Sequence, residues 1–226
     1  MPAVFVARRP IAVDGSLRIM SDKSLIERKG KPMQWSKLKK SIEYFFADSV
    51  KDRVELRSTR YHKSHDHEGR GYIVVDNEEI ISFCSITAWR QERELLRNLV
   101  EISGNPDHRN PAQQDGYWQA VDQTMDILNK QGIYTQYKFY DSLNEYLSIS
   151  IDDAVESNNL IIRSIAILDR RLGKRRIPQY RIAYTDHPAL KKLFEFRCIA
   201  EEIRIPSTHP TIQPKLFTRV AATVLE

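Results

Sequence analysis

From residue 35 onward, apolar positions recur with a period that changes along the chain. Trp35, Leu38, Ile42, Phe45 and Phe46 fall at helical spacing, with Lys37, Lys39 and Lys40 on other faces. That pattern predicts an amphipathic helix, ended by Asp48 and Ser49. Arg53 to Tyr61 alternates instead: Val54, Leu56 and Ser58 face one way, Glu55, Arg57 and Thr59 the other, as in a half-buried strand. A polar loop, His62 to Gly69, leads to a second strand from Arg70 to Asp76. Asp76-Asn77 between two apolar runs predicts a tight hairpin turn, and a third strand runs from Glu79 to Ile86. Helical spacing then returns in Trp89, Leu95, Leu96, Leu99 and Val100, and again in Trp118, Val121, Met125 and Leu128 after a loop from Ser103 to Gln114. Tyr137, Tyr140, Leu143 and Leu147 give a further stripe. Ser150 reads as an N-cap ahead of Asp152 and Asp153, opening a helix that carries Leu160, Ile161, Ile165, Leu168 and Leu172 to Gly173. A last helix starts near Asp186 and carries Leu190, Leu193, Phe194 and Cys198.

The elements predict an α+β fold: an N-terminal helix packed on a three-stranded antiparallel sheet, followed by a mainly helical region. Residues 1–32 read as a loosely ordered arm, 33–88 as helix plus sheet, 89–205 as the helical region, with one core or two left open, and 206–226 as a proline-punctuated tail. Trp35, Leu38, Ile42 and Phe45 are expected on one face of the sheet.

Composition narrows the class. A chain of 226 residues can bury a core without metal or disulfide support. Two cysteines, Cys84 and Cys198, exclude a disulfide framework and a four-cysteine zinc site, and read as reduced, buried thiols. No apolar run reaches the roughly 20 residues that span a bilayer. The opening Met1 to Arg9 is too short for a signal-peptide core. A cytoplasmic protein without membrane contact is the expectation. A net charge of +5 favours anionic partners.

Two clusters carry candidate chemistry. His62, His65, Asp66 and His67 offer imidazole and carboxylate, the ligands that zinc and non-haem iron take. Their spacing matches neither a zinc-protease helix nor a metallo-β-lactamase. No cofactor is predicted, and a divalent metal here is left open. Arg57, Arg60 and Arg70, with Lys63, surround this loop and can hold a phosphate through bidentate contacts, Gly69 and Gly71 allowing close approach. The second cluster is Arg163, Arg170, Arg171, Lys174, Arg175 and Arg176, with Asp169 the one acid among them. Part of it complements a helix C-terminus, and the excess makes a positive patch. Glycine-rich phosphate loops and the Gly-x-Ser-x-Gly elbow are absent from the sequence.

Several segments resemble a family of small uncharacterised bacterial cytoplasmic proteins. They are Trp35-Ser36-Lys37-Leu38-Lys39-Lys40, Phe46-Ala47-Asp48-Ser49-Val50, Ser58-Thr59-Arg60-Tyr61, and His65-Asp66 with Glu68-Gly69-Arg70-Gly71. Ala166 to Arg175 and Phe194 to Glu201 join them, so that the resemblance spans Met33 to Arg204. It implies a bacterial, cytoplasmic origin and a compact fold, and supplies no catalytic residue.

The reading is therefore a non-enzymatic binding module that meets nucleic-acid phosphates or an acidic protein surface through the basic helix end. A metal-dependent hydrolase or nuclease built on His62 to Glu68 is the alternative. Reversing Arg171, Arg175 and Arg176 to Glu is expected to abolish binding at little cost in stability.

Overall fold

The computed structural model describes residues 33–63, 68–180, 182–183 and 186–204. The chain divides into two compact units, Met1–Gln34 and Trp35–Glu226, and every element below belongs to the second. In order these are α1 (Trp35–Glu43), β1 (Val54–Arg60), β2 (Gly69–Val75), β3 (Glu78–Cys84), α2 (Ser85–Ile102), α3 (Gln114–Lys130), α4 (Gln136–Tyr146), α5 (Ile151–Glu156), α6 (Leu160–Leu168), a short 3-10 turn (Ile177–Gln179) and α7 (Pro188–Ala200). The fold is α+β. No described helix is long and apolar enough to cross a membrane.

The sheet is antiparallel in the order β1-β2-β3. Asp76 and Asn77 both take positive φ, 49° and 69°, the conformation that lets a two-residue hairpin follow the twist of its strands. Strand alternation sends Val54, Leu56, Ile73, Ile81 and Phe83 to the buried face. There α4 lays Phe139 over the strands, its ring stacked on Phe83 at 5.3 Å. Leu38 and Ile42 of α1 are fully buried beside β1, whereas Trp35 and Phe45 are half-buried. The edge of β1 is not left bare: Leu56 N–H donates to Glu43 Oε1 at 3.0 Å.

Three boundaries differ from the sequence reading. First, α1 ends at Glu43. Phe46 leaves the helix and pairs in an isolated bridge with Asp169, Ala47 N–H donates to Leu168 O, and Arg170 N–H donates to Phe45 O. Second, β3 stops at Cys84, because α2 begins at once with Ser85, whose hydroxyl accepts Gln136 N–H at 3.0 Å. Third, the single helix read from Ile151 to Leu172 is two. Ser150 caps α5 as expected. Ser157 is extended, and Asn159 starts α6 by accepting from the amides of Ile161 and Ile162. Nearly all of α6 is buried, all round its circumference, as suits a helix at the centre of a core.

One continuous core joins α1, the sheet, α4, α5, α6 and α7. The helices α2 and α3 contribute no residue to it. They pack on each other, and α2 also touches β2 and β3.

Candidate functional site

Helix α6 ends at Leu168 because Asp169 turns extended (ψ 135°). Its carboxylate is completely buried. It accepts Tyr146 Oη–H at 2.5 Å, Arg171 N–H at 2.6 Å and Arg171 Nε–H at 2.9 Å. The Arg171 guanidinium lies over the rings of Phe45 at 4.2 Å and Tyr146 at 5.4 Å. Burial, and then the bond to Asp169, push the Tyr146 hydroxyl far above the ordinary tyrosine range. Arg197, 2% exposed, closes the turn: it donates to Leu168 O at 2.7 Å and pairs with Glu201 at 3.0 Å. Charge-assisted bonds of this kind to backbone carbonyls fix the path of the chain.

This network sorts the six cations read as one patch. Arg163 forms a bidentate pair with Asp186, at 2.8 and 3.1 Å, and bonds to Tyr180. Burial draws its charge down, but Asp186 and Tyr180 outweigh burial and hold its pKa well above the ordinary value. Arg171 belongs to the buried network, and Arg176 pairs with Asp152. Only Arg170, Lys174 and Arg175 reach solvent without an ion-pair partner among the described residues, Arg170 lying over the Tyr44 ring at 4.3 Å. Because Arg171 supports the core, reversing it tests folding rather than binding. An open cleft of about 450 Å³ lies beside Arg163, Tyr180 and Asn158, but the arginine it presents is already paired with Asp186.

Arg57 and Arg70 lie on the outer sheet face, whereas Arg60, in register with Gly69, alternates to the other face, so the three do not form a ring. Arg57 pairs with Glu55 on its own strand at 2.9 Å. Arg70 pairs with Glu79 and lies over Tyr72 at 4.4 Å. Arg60 is exposed. Gly69 and Gly71 are needed by the fold: a Cβ on Gly71 would sit 2.1 Å from Phe139 Cδ1, and one on Gly69 2.0 Å from Thr59 O. Of the histidine loop, His65, Asp66 and His67 lie outside the described residues, and His62 is exposed. No group of three His, Cys, Asp or Glu that can hold a metal is found among the described residues.

Composition hid one further residue. Cys84, whose apolar neighbours predict burial, is partly exposed and occupies the N-cap of α2. Burial alone raises its pKa. The polar groups of Thr87, Tyr61 and Ile86 around the sulfur, at the positive end of an 18-residue helix, outweigh burial and bring the thiol below its ordinary value. Cys198 is buried, and burial pushes its thiol up. Iodoacetamide at neutral pH is therefore expected to alkylate Cys84 long before Cys198 in the native chain. Equal rates by mass spectrometry would remove that reading of the N-cap. The signal in the sequence was a cysteine directly before a helix start, Ser85-Ile86-Thr87.

No curated protein and no solved structure matches the chain. A family model matches residues 34–198. The matched span covers α1, the sheet and the buried network around Asp169, and it ends one residue beyond Arg197. The chain belongs to the SF0329 protein family.

Proposed function

We propose that the chain is a non-enzymatic binding module of the bacterial cytoplasm that engages nucleic-acid phosphates through Arg170, Lys174 and Arg175. One observation carries the reading. The turn after α6 is held from beneath by Asp169 and Arg197, and these three cations reach solvent without an ion-pair partner among the described residues. A preorganised cluster loses little entropy on meeting phosphates. Such contacts position a duplex without reading its bases, so sequence preference is slight. The reduced cysteines and the family resemblance support the compartment.

The test is binding of a duplex oligonucleotide across a salt series. The apparent association constant is expected to fall with log salt at a slope of about −2 to −3, since about 0.9 counterion is released per phosphate neutralised. Reversing Arg170, Lys174 and Arg175 together to Glu removes binding, while stability changes by less than about 1 kcal/mol, because exposed charges contribute little to folding. Absence of salt-sensitive binding by the wild-type chain at low ionic strength sinks the proposal. Loss of an acidic polypeptide ligand, with no nucleic-acid binding to lose, assigns the same cations to a protein partner instead.

A further inference from the structure

Helix α1 has two unlike sides. Leu38 and Ile42 enter the core, and Trp35 and Phe45 border it. Lys37, Lys40 and Tyr44 follow at helical spacing on the opposite side, and all three are exposed. Tyr44 lies just past the helix but keeps its register, since its N–H donates to Lys40 O at 3.0 Å. The turn after α6 extends this line. Arg170 N–H donates to Phe45 O, which sets that turn against the end of α1, and the Arg170 guanidinium lies over the Tyr44 ring at 4.3 Å. With one face so covered, Tyr44 is still 69% exposed. The acids nearby are engaged elsewhere. Glu43, the one acid of α1, accepts Leu56 N–H and pairs with Lys39 at 3.6 Å. Asp48 is held by Lys51 at 2.9 Å, Asp52 acts on the same lysine, and Arg170 is near enough to act on both members of the Asp48–Lys51 pair. Past the turn, Asp152 is taken by Arg176, and Asp153 accepts from the Ser150 hydroxyl. Lys37 and Lys40 have no ion-pair partner among the described residues.

We infer that Tyr44, set among Lys37, Lys40 and Arg170, is a stacking platform for a base of single-stranded nucleic acid, so that the chain prefers a single strand to a duplex. The inference rests on the phosphate-binding reading of Arg170, Lys174 and Arg175, and it names the form of nucleic acid they meet. A lone exposed tyrosine needs no partner, and a line of cations alone takes any phosphate backbone. The two together are more selective. Bases in a duplex keep their flat faces stacked on one another, whereas an unpaired base stacks on an aromatic ring or a guanidinium plane. Arg170 holds the ring in place before any ligand arrives, so little side-chain freedom is lost on stacking. From Tyr44 the lysines continue for about 10 Å along α1, at successive turns, and can follow the backbone away from the stacked base.

Fluorescence anisotropy of the full chain at low salt tests the inference, with an oligothymidylate of about 12 nucleotides and a duplex of the same length as probes. The single strand is expected to bind more tightly, by about fivefold or more. Tyr44→Ala lowers single-strand affinity by roughly fivefold to a hundredfold, the loss that one unstacked base brings. On the duplex, which offers no free base face, the same variant loses less than about twofold. Its thermal melt stays near wild type, since the side chain is mostly exposed. Tyr44→Trp, with a larger flat face, binds the single strand at least as tightly. Replacing Lys37 and Lys40 together by Gln lowers the single-strand salt slope by about 1.4, two phosphates at about 0.7 each. A duplex bound as tightly as the single strand overturns the inference and leaves the phosphate reading standing. So does single-strand binding indifferent to Tyr44→Ala, or a loss that both probes share equally. If neither probe binds at low salt, both readings fail together.

Discussion

Asp169→Ala is expected to cost on the order of 3–5 kcal/mol, the range for removing one partner of a buried charge pair. The carboxylate is wholly buried and takes three hydrogen bonds from two residues. Its loss strands the Tyr146 hydroxyl and leaves the Arg171 guanidinium half-buried between rings with no counter-charge. Asp169→Asn keeps one acceptor oxygen and should fall between wild type and alanine. Equilibrium denaturation with an unchanged slope measures the difference; a stability within ~1 kcal/mol of wild type for the alanine variant would falsify the account. The same network predicts a pH effect. The Tyr146 pKa is raised on folding, so its contribution is complete below the unfolded value of about 10 and declines as the pH rises above it. Tyr146→Phe should lose that part of the alkaline decline.

This network also marks where the sequence stopped being readable. Strand alternation in Val54 to Ser58, the Asp76-Asn77 turn and the Ser150 cap are local signals, and each was legible. The break between α5 and α6 was not, because the apolar stripe runs on through Leu160 and Ile161. Asn159 opens a new helix there, held by Ser142 of α4, which accepts its side-chain amide at 2.8 Å. Likewise nothing local distinguishes Arg170 from Arg171. The extended residue Asp169 sends one to solvent and the other inward over Phe45 and Tyr146, rings from elements over twenty residues away. Charge counting alone therefore assigns too much of the run from Arg163 to Arg176 to the surface.

The glycines of β2 show the same exchange of a functional reading for a structural one, and they set the other large effect. Gly71→Ala should destabilise by about 3 kcal/mol, the upper end for overpacking a tight core. The new Cβ would lie 2.1 Å from Phe139 Cδ1 and 2.6 Å from Cε1. Phe139 has little room to retreat, since it is fully buried, stacked on Phe83 at 5.3 Å and in contact with the ring of Trp35 at 6.0 Å. In a strand, alanine would otherwise be favoured over glycine by roughly 0.5–1 kcal/mol, so a loss of the expected size is a measure of the clash. For a chain of this length the midpoint should drop by about 6–12 °C. Phe139→Leu removes part of the ring and creates a cavity, destabilising by itself. Combined with Gly71→Ala, it gives the new methyl group the vacated space. The double variant should then be more stable than the sum of the singles predicts, by at least ~1 kcal/mol, as for other residues in direct contact. Additive losses, or a Gly71→Ala chain that melts with wild type, would show that Phe139 does not occupy the place of the missing side chain. The close approach of Gly69 and Gly71 would then be available to a ligand after all.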